Sequence, residues 1–205
     1  MRKAAIGWRV HSGWAALVAI AGPVDSPEVI ARRRVEIADA AIRGSKQPFH
    51  AAEPLEFPEA QAHIERCTRS TQKMARQAFQ AAIDGLRDRR CEVTGCGIVL
   101  ASGRTLPDLE AILRSHALIH TAEGEFFRNA LMEAGEHCGL PVLGVKEKEL
   151  FERGADRLRV PVRDLERRMG ELGKPMGAPW TQDQKYAALV AWMALGVTEA
   201  RGTRD

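Results

Sequence analysis

Long apolar runs are missing from this 205-residue chain. None approaches the roughly 20 residues that a transmembrane helix needs. The opening Met1-Arg2-Lys3 is basic, as a signal peptide begins, but the stretch behind it carries Arg9 and His11 and reads as a strand. A soluble, cytoplasmic protein is the expectation. Cysteine is scarce, and Cys67, Cys91, Cys96 and Cys138 offer no CxxC spacing. Neither a zinc framework nor a disulfide scaffold is legible, and reduced thiols are expected. Aromatic residues make up only 5% of the chain. They interleave little with the arginine-rich pieces at 32–34, 87–90 and 153–168, which acids interrupt, so no stacking platform for single-stranded nucleic acid is indicated. Charge of one sign is lacking too: 30 basic residues meet 27 acidic ones, for a net +3. That balance permits contact with nucleic acid without arguing for it. No Walker motif, GxGxxG or GxSxG occurs.

What is present is a core-forming chain, 45% apolar. Residues 3–21, KAAIGWRVHSGWAALVAIA, read as two strands joined at His11-Ser12-Gly13, with Ile6, Trp8 and Val10 alternating onto one face. Residues 28–38 read as a third, more exposed strand. Residues 43–58, with Pro48, Pro54 and Pro58, read as a loop. Residues 59–90 carry apolar residues at helical spacing, among them Ile64, Cys67, Met74, Phe79, Ile83 and Leu86. GCGIVLA at 95–101 and LPVLGV at 140–145 read as buried central strands. Between them the pattern predicts helix from Pro107 to Cys138, with Gly124 as a place to break and Gly139 as the stop. Helices are expected over 148–157 and 162–172, then a linker at 173–179. Thr181 is expected to cap a last helix, reaching Leu195, that packs on the sheet through Trp192 with Trp180 beside it. The whole reads as one domain over 1–205.

The order is β-β-β-α-β-α-β-α, an α/β chain with a mixed central sheet and helices on both faces. A strand meander followed by right-handed helical crossovers is the ribonuclease-H-like order. Two segments carry a nearer resemblance. AIGWRVHSGWAALVAI resembles the first hairpin of the RuvC-like resolvase branch of that superfamily. TQDQKYAALVAWMAL is similar to its last helix, with Asp183 at the acidic end. The resemblance implies a fold, a cleft and nucleic acid as partner. It also implies an aspartate on the first strand, where this chain has Arg9. A glutamate would follow near the end of the fourth strand, where Ala101 and Ser102 stand. Two-metal hydrolysis needs several carboxylates around cations roughly 4 Å apart. A guanidinium in the first position repels those cations, so orthodox nuclease activity is not expected.

A second constellation lies in SHALIHTAEGEFFR, residues 115–128. On one continuous helix Leu109, Leu113, His116, His120, Glu123, Phe127 and Leu131 form a single stripe, which turns His116, His120 and Glu123 inward. A buried polar trio needs partners: a metal, a substrate, or one another. His-x3-His with a glutamate three residues on has metal-ligand spacing, although Ala117 stands where a zincin keeps its base. The plainer reading is two satisfied core histidines. Arg104, behind the central strand, is placed to meet a phosphate or carboxylate, because ligands in open α/β sheets sit beyond the carboxyl ends of strands. His11 lies at the same rim. Glu125 is a further ligand-binding candidate, and its i, i+3 spacing to Arg128 also allows a surface ion pair.

Two functions are therefore carried forward. One is a divergent ribonuclease-H-like protein that binds nucleic acid or a phosphorylated small molecule. The other is a hydrolase working through His116, His120 and Glu123, with one divalent metal as cofactor. No membrane partner is expected, and a homodimer is the expected assembly.

Overall fold

The computed structural model describes residues 1–101 and 105–196. Strands β1 (Arg2–His11) and β2 (Trp14–Ala21) form the expected antiparallel hairpin, with Ile6 opposite Ala19 and Trp8 opposite Leu17. Gly13 takes the left-handed turn position at φ 81°, which a side chain would strain. Strand β3 (Glu28–Glu36) pairs with β2 and forms one edge of the sheet. Helices α1 (Pro48–Ala52) and α2 (Phe57–Arg87) lead to β4 (Cys91–Leu100), which lies parallel to β1. Helices α3 (Leu109–Leu113) and α4 (His116–His137) lead to β5 (Val142–Lys146), parallel to β4. Helices α5 (Leu150–Leu158), α6 (Val162–Leu172) and α7 (Gln182–Leu195) complete the elements of the described residues. The sheet order is β3-β2-β1-β4-β5. Central β1 with antiparallel β2 on one side and parallel β4 on the other is the ribonuclease-H-like arrangement read from the sequence.

The strand period of two divides the core. Ala4, Ile6, Trp8 and Val10 face α2 and α4, where Trp8 meets Phe79 at 4.9 Å between ring centroids and Phe127 and Leu131 fill in behind. Ala5 and, from β2, Val18 and Ile20 face α5, α6 and α7. Each large apolar side chain so buried is worth about 1.5–3 kcal/mol. Helix α7 lies almost in contact with the sheet backbone. A Cβ on Gly7 would sit 1.8 Å from the Ala187 carbonyl oxygen, and one on Gly97 would sit 2.3 Å from that of Val190. The sequence prepares this with alanines on the helix and glycines on the strands. Residues 187–195 are all buried, because α7 is covered by the sheet below and by α5 and α6 above.

Two expectations need correction. The segment at 43–58 is not all loop: Pro48, whose missing N–H costs nothing at a first helical position, starts α1. The helix expected from Pro107 to Cys138 breaks at Arg114-Ser115, and α4 then runs unbroken through Gly124. Asp108 fixes α3 by accepting a hydrogen bond from the Ala111 N–H, and Ser115 is extended (φ −135°) before the chain re-enters helix. Among the described residues no helix is long and apolar enough to cross a membrane.

Candidate functional site

The carboxyl ends of β1, β4 and β5 meet the amino end of α7. Thr181 and Gln184 close a capping box there, which fixes the first turn of α7 and with it Asp183. The Asp183 Oδ1 is 2.8 Å from His11 Nε2 at the end of β1. The same oxygen lies 4.0 Å from Nε of Arg9, whose Nη2 is 2.7 Å from Oε2 of Glu147 just beyond β5. The Nε of Arg9 is buried and has no hydrogen-bond partner among the described residues. The His11 ring stacks on Trp14 at 4.3 Å, and the Arg34 guanidinium lies 3.7 Å over the Trp14 ring.

From the opposite layer α4 sends in Arg128. Its Nε donates to the Val99 carbonyl at 3.2 Å and its Nη2 to the Val10 carbonyl at 3.4 Å, while Nη1 donates to Gly124. The Val10 carbonyl also accepts from Arg9 Nη1 at 3.1 Å. Burial pulls Arg128 below its ordinary value, the Arg9 charge pulls it further, and Glu125 and Glu147 oppose both. It stays a cation, since guanidinium does not deprotonate in proteins. A cavity of about 220 Å³ opens here, lined by Arg9, His11, Ser12, Glu123 and Arg128 among others. One guanidinium, that of Arg9, thus stands where the RuvC-like resemblance implies a carboxylate for metal, and Arg128 adds a second to the same cavity. Asp183 and Glu147 are engaged with Arg9 rather than with each other across a cation.

His11, expected at the rim with Arg104, and Asp183, expected at the acidic end of the last helix, are therefore joined. Glu125 and Arg128 are not a surface pair: both are buried. Arg104 and Ser102 lie outside the described residues. Arg128, Arg9 as an ion-pair partner, and Glu147 were not singled out as ligand-site residues from the sequence. The signal for Arg128 was its place one turn beyond Gly124 on the core-facing side of α4.

The histidine stripe is divided. Glu123 is buried, but His116 and His120 are exposed. The break at Arg114-Ser115 separates them from Leu109 and Leu113, so the leucines do not set which way they face. The Glu123 Oε1 accepts from the N–H groups of Phe49 (2.8 Å) and His50 (3.0 Å), the first turn of α1, and lies 3.2 Å from His50 Nδ1. It supplies the cap that Gln47 does not. Burial pushes the Glu123 carboxyl up, and these hydrogen bonds pull it partly back. His116 and His120 instead meet each other and His50. Their Nε2 atoms are 3.1 Å apart, and one ring nitrogen from each of the three histidines lies within 4.8 Å of the other two. His50 was missed because it sits in the segment read as loop.

No family model matches the sequence, and no curated protein does. Solved structures do match. The chain is similar to RuvC of Thermus thermophilus in complex with a Holliday junction substrate, at 11% identity and a TM-score of 0.50, over 97% of this chain and 96% of that one. It is similar to a further Thermus thermophilus RuvC structure at 9% identity, with the same TM-score and coverage. The fold is a divergent RuvC-like, ribonuclease-H-like fold.

Proposed function

We propose that this chain binds a phosphate-bearing ligand, nucleic acid first among them, in the cleft at the carboxyl ends of β1 and β4, and that it does not perform two-metal phosphodiester hydrolysis. One observation carries the reading: the strand position that should present a metal-binding carboxylate presents Arg9, with Arg128 beside it on the same cavity. Two guanidiniums make a poor cation site and a good oxyanion site. The Nε of Arg9 is buried without a hydrogen-bond partner among the described residues and faces Asp183 Oδ1 at 4.0 Å, so its charge is not consumed by a close pair there. Asp183 and Glu147 hold Arg9 in place, and a ligand phosphate would draw on the same cation. The structural likeness to a RuvC bound to a Holliday junction makes a four-way junction the first ligand to try. A cytoplasmic protein and a homodimer, which would offer a junction two clefts, belong to the same proposal.

Fluorescence anisotropy with a labelled four-way junction, a labelled single strand and a duplex tests it. Salt-sensitive binding is expected, weakened about tenfold or more in Arg9→Ala and restored in Arg9→Lys, with a shallower salt dependence in the alanine variant. A thermal shift with inorganic pyrophosphate serves the small-ligand form of the proposal. No binding to any of these probes, or binding indifferent to Arg9→Ala, overturns it.

A further inference from the structure

We infer that His50, His116 and His120 form a binding site for one divalent transition metal ion of the zinc class, at the junction of α1 and α4 and apart from the strand-end cleft. The three residues bring imidazole nitrogens to one point from two rigid elements. His116 and His120 are one helical turn apart on α4, and their Nε2 atoms already stand 3.1 Å from each other. A tetrahedral zinc with bonds of about 2.0–2.1 Å holds its nitrogen ligands about 3.3 Å apart. His50 arrives on α1, which Phe49 anchors in a small core with Ile112, Ile119 and Ala122. Its ring centroid is 4.8 Å from that of His120 and 5.5 Å from that of His116.

The surroundings orient two of the rings. The Glu123 carboxylate, 3.2 Å from His50 Nδ1, favours the proton there and leaves Nε2 as the ligand atom. Glu53 Oε1 stands 3.5 Å from His116 Nδ1 and does the same for that ring, whose Nε2 faces His120. A carboxylate behind a metal-bound histidine is the usual outer arrangement of such sites; it fixes the tautomer and raises the basicity of the ligand nitrogen. Glu123 is thus a positioning residue, not a ligand. Its Oε1 is spent on α1, and its Oε2 is buried without a hydrogen-bond partner among the described residues. Three imidazoles select borderline metals such as zinc, copper(II) or nickel over magnesium and calcium, which want oxygen. His116 and His120 are exposed, so the fourth position faces solvent and takes water or an external ligand. Because the ligands come from α1 and α4, the bound ion ties α1 to α4.

Isothermal titration of the metal-free full chain with zinc, followed by metal analysis after dialysis, tests the site. One zinc per chain is expected, with a rise in melting temperature. Each of His50→Gln, His116→Gln and His120→Gln should weaken binding at least tenfold. Glu123→Gln should weaken it about 10–100-fold through His50. His137→Gln, at the far end of α4, should bind as the parent does, and magnesium should not compete. His116 and His120 are exposed, so their variants fold even if His50→Gln does not. The absence of saturable zinc binding, or zinc binding unchanged in both His116→Gln and His120→Gln, overturns the inference.

Discussion

Arg128 is a buried cation held by backbone carbonyl groups. It spans the carbonyl groups of Val10, Val99 and Gly124, which binds the ends of β1 and β4 to α4. Arg128→Met keeps much of the volume and removes the donors. It should destabilise the chain by about 1–3 kcal/mol, as read by urea denaturation. His63 gives a pH signature. Burial first, then Arg66, hold it below its ordinary value of 6.5. The unfolded chain therefore takes up this proton at a higher pH than the folded one. Stability from this group is complete above about pH 6.5 and declines as pH falls below that. Denaturation midpoints between pH 7.5 and 5 should fall less steeply in His63→Gln than in the parent. Cys96 is pushed up to about 12 by burial, with the Cys138 and Glu136 charges adding to it. It should resist thiol reagents until the chain unfolds, whereas half-buried Cys138 should react earlier. Equal labelling rates for the two in native buffer would count against the burial described.

At the scale of elements, α7 shows how much local sequence can specify. Thr181 at the cap and the apolar run to Leu195 were enough to place its start and its end, and the structure has both, with Gln184 closing a capping box. Thr181→Ala should cost about 1 kcal/mol. The glycines beneath α7 are stricter. Gly7→Ala would drive a methyl group into the Ala187 carbonyl, so it should cost about 3 kcal/mol, the upper end for overpacking, or prevent folding. A Gly7→Ala melting temperature within a degree or two of the parent would contradict the close approach. The α3–α4 boundary was not legible in the same way. It carries neither glycine nor proline, Ser115 makes no side-chain cap, and Gly124, the residue that looks like a breaker, lies inside intact helix. The cap of α1 was illegible for a different reason: its acceptor, Glu123, belongs to another helix.

For the whole molecule, element order and strand period carried the fold. A hairpin, an exposed third strand and two apolar runs separated by helix leave few sheet orders open, and β3-β2-β1-β4-β5 is the one formed. The site was legible only where its residues lie on predicted elements. Arg9 and Asp183 were each matched to an acidic position of the implied fold, His11 was placed at the rim with Arg104, and the structure brings Arg9, His11 and Asp183 together. His50 was not, since nothing in local spacing says that a residue between two prolines will meet α4. The central proposal is that this RuvC-like fold binds a phosphate-bearing ligand in its strand-end cleft without two-metal hydrolysis. The most direct measurement is incubation of a labelled four-way junction with purified protein in magnesium and in manganese, read on a denaturing gel beside Asp183→Asn. The account predicts a bound but uncut junction with both proteins. Cleavage by the parent that disappears in Asp183→Asn would contradict it.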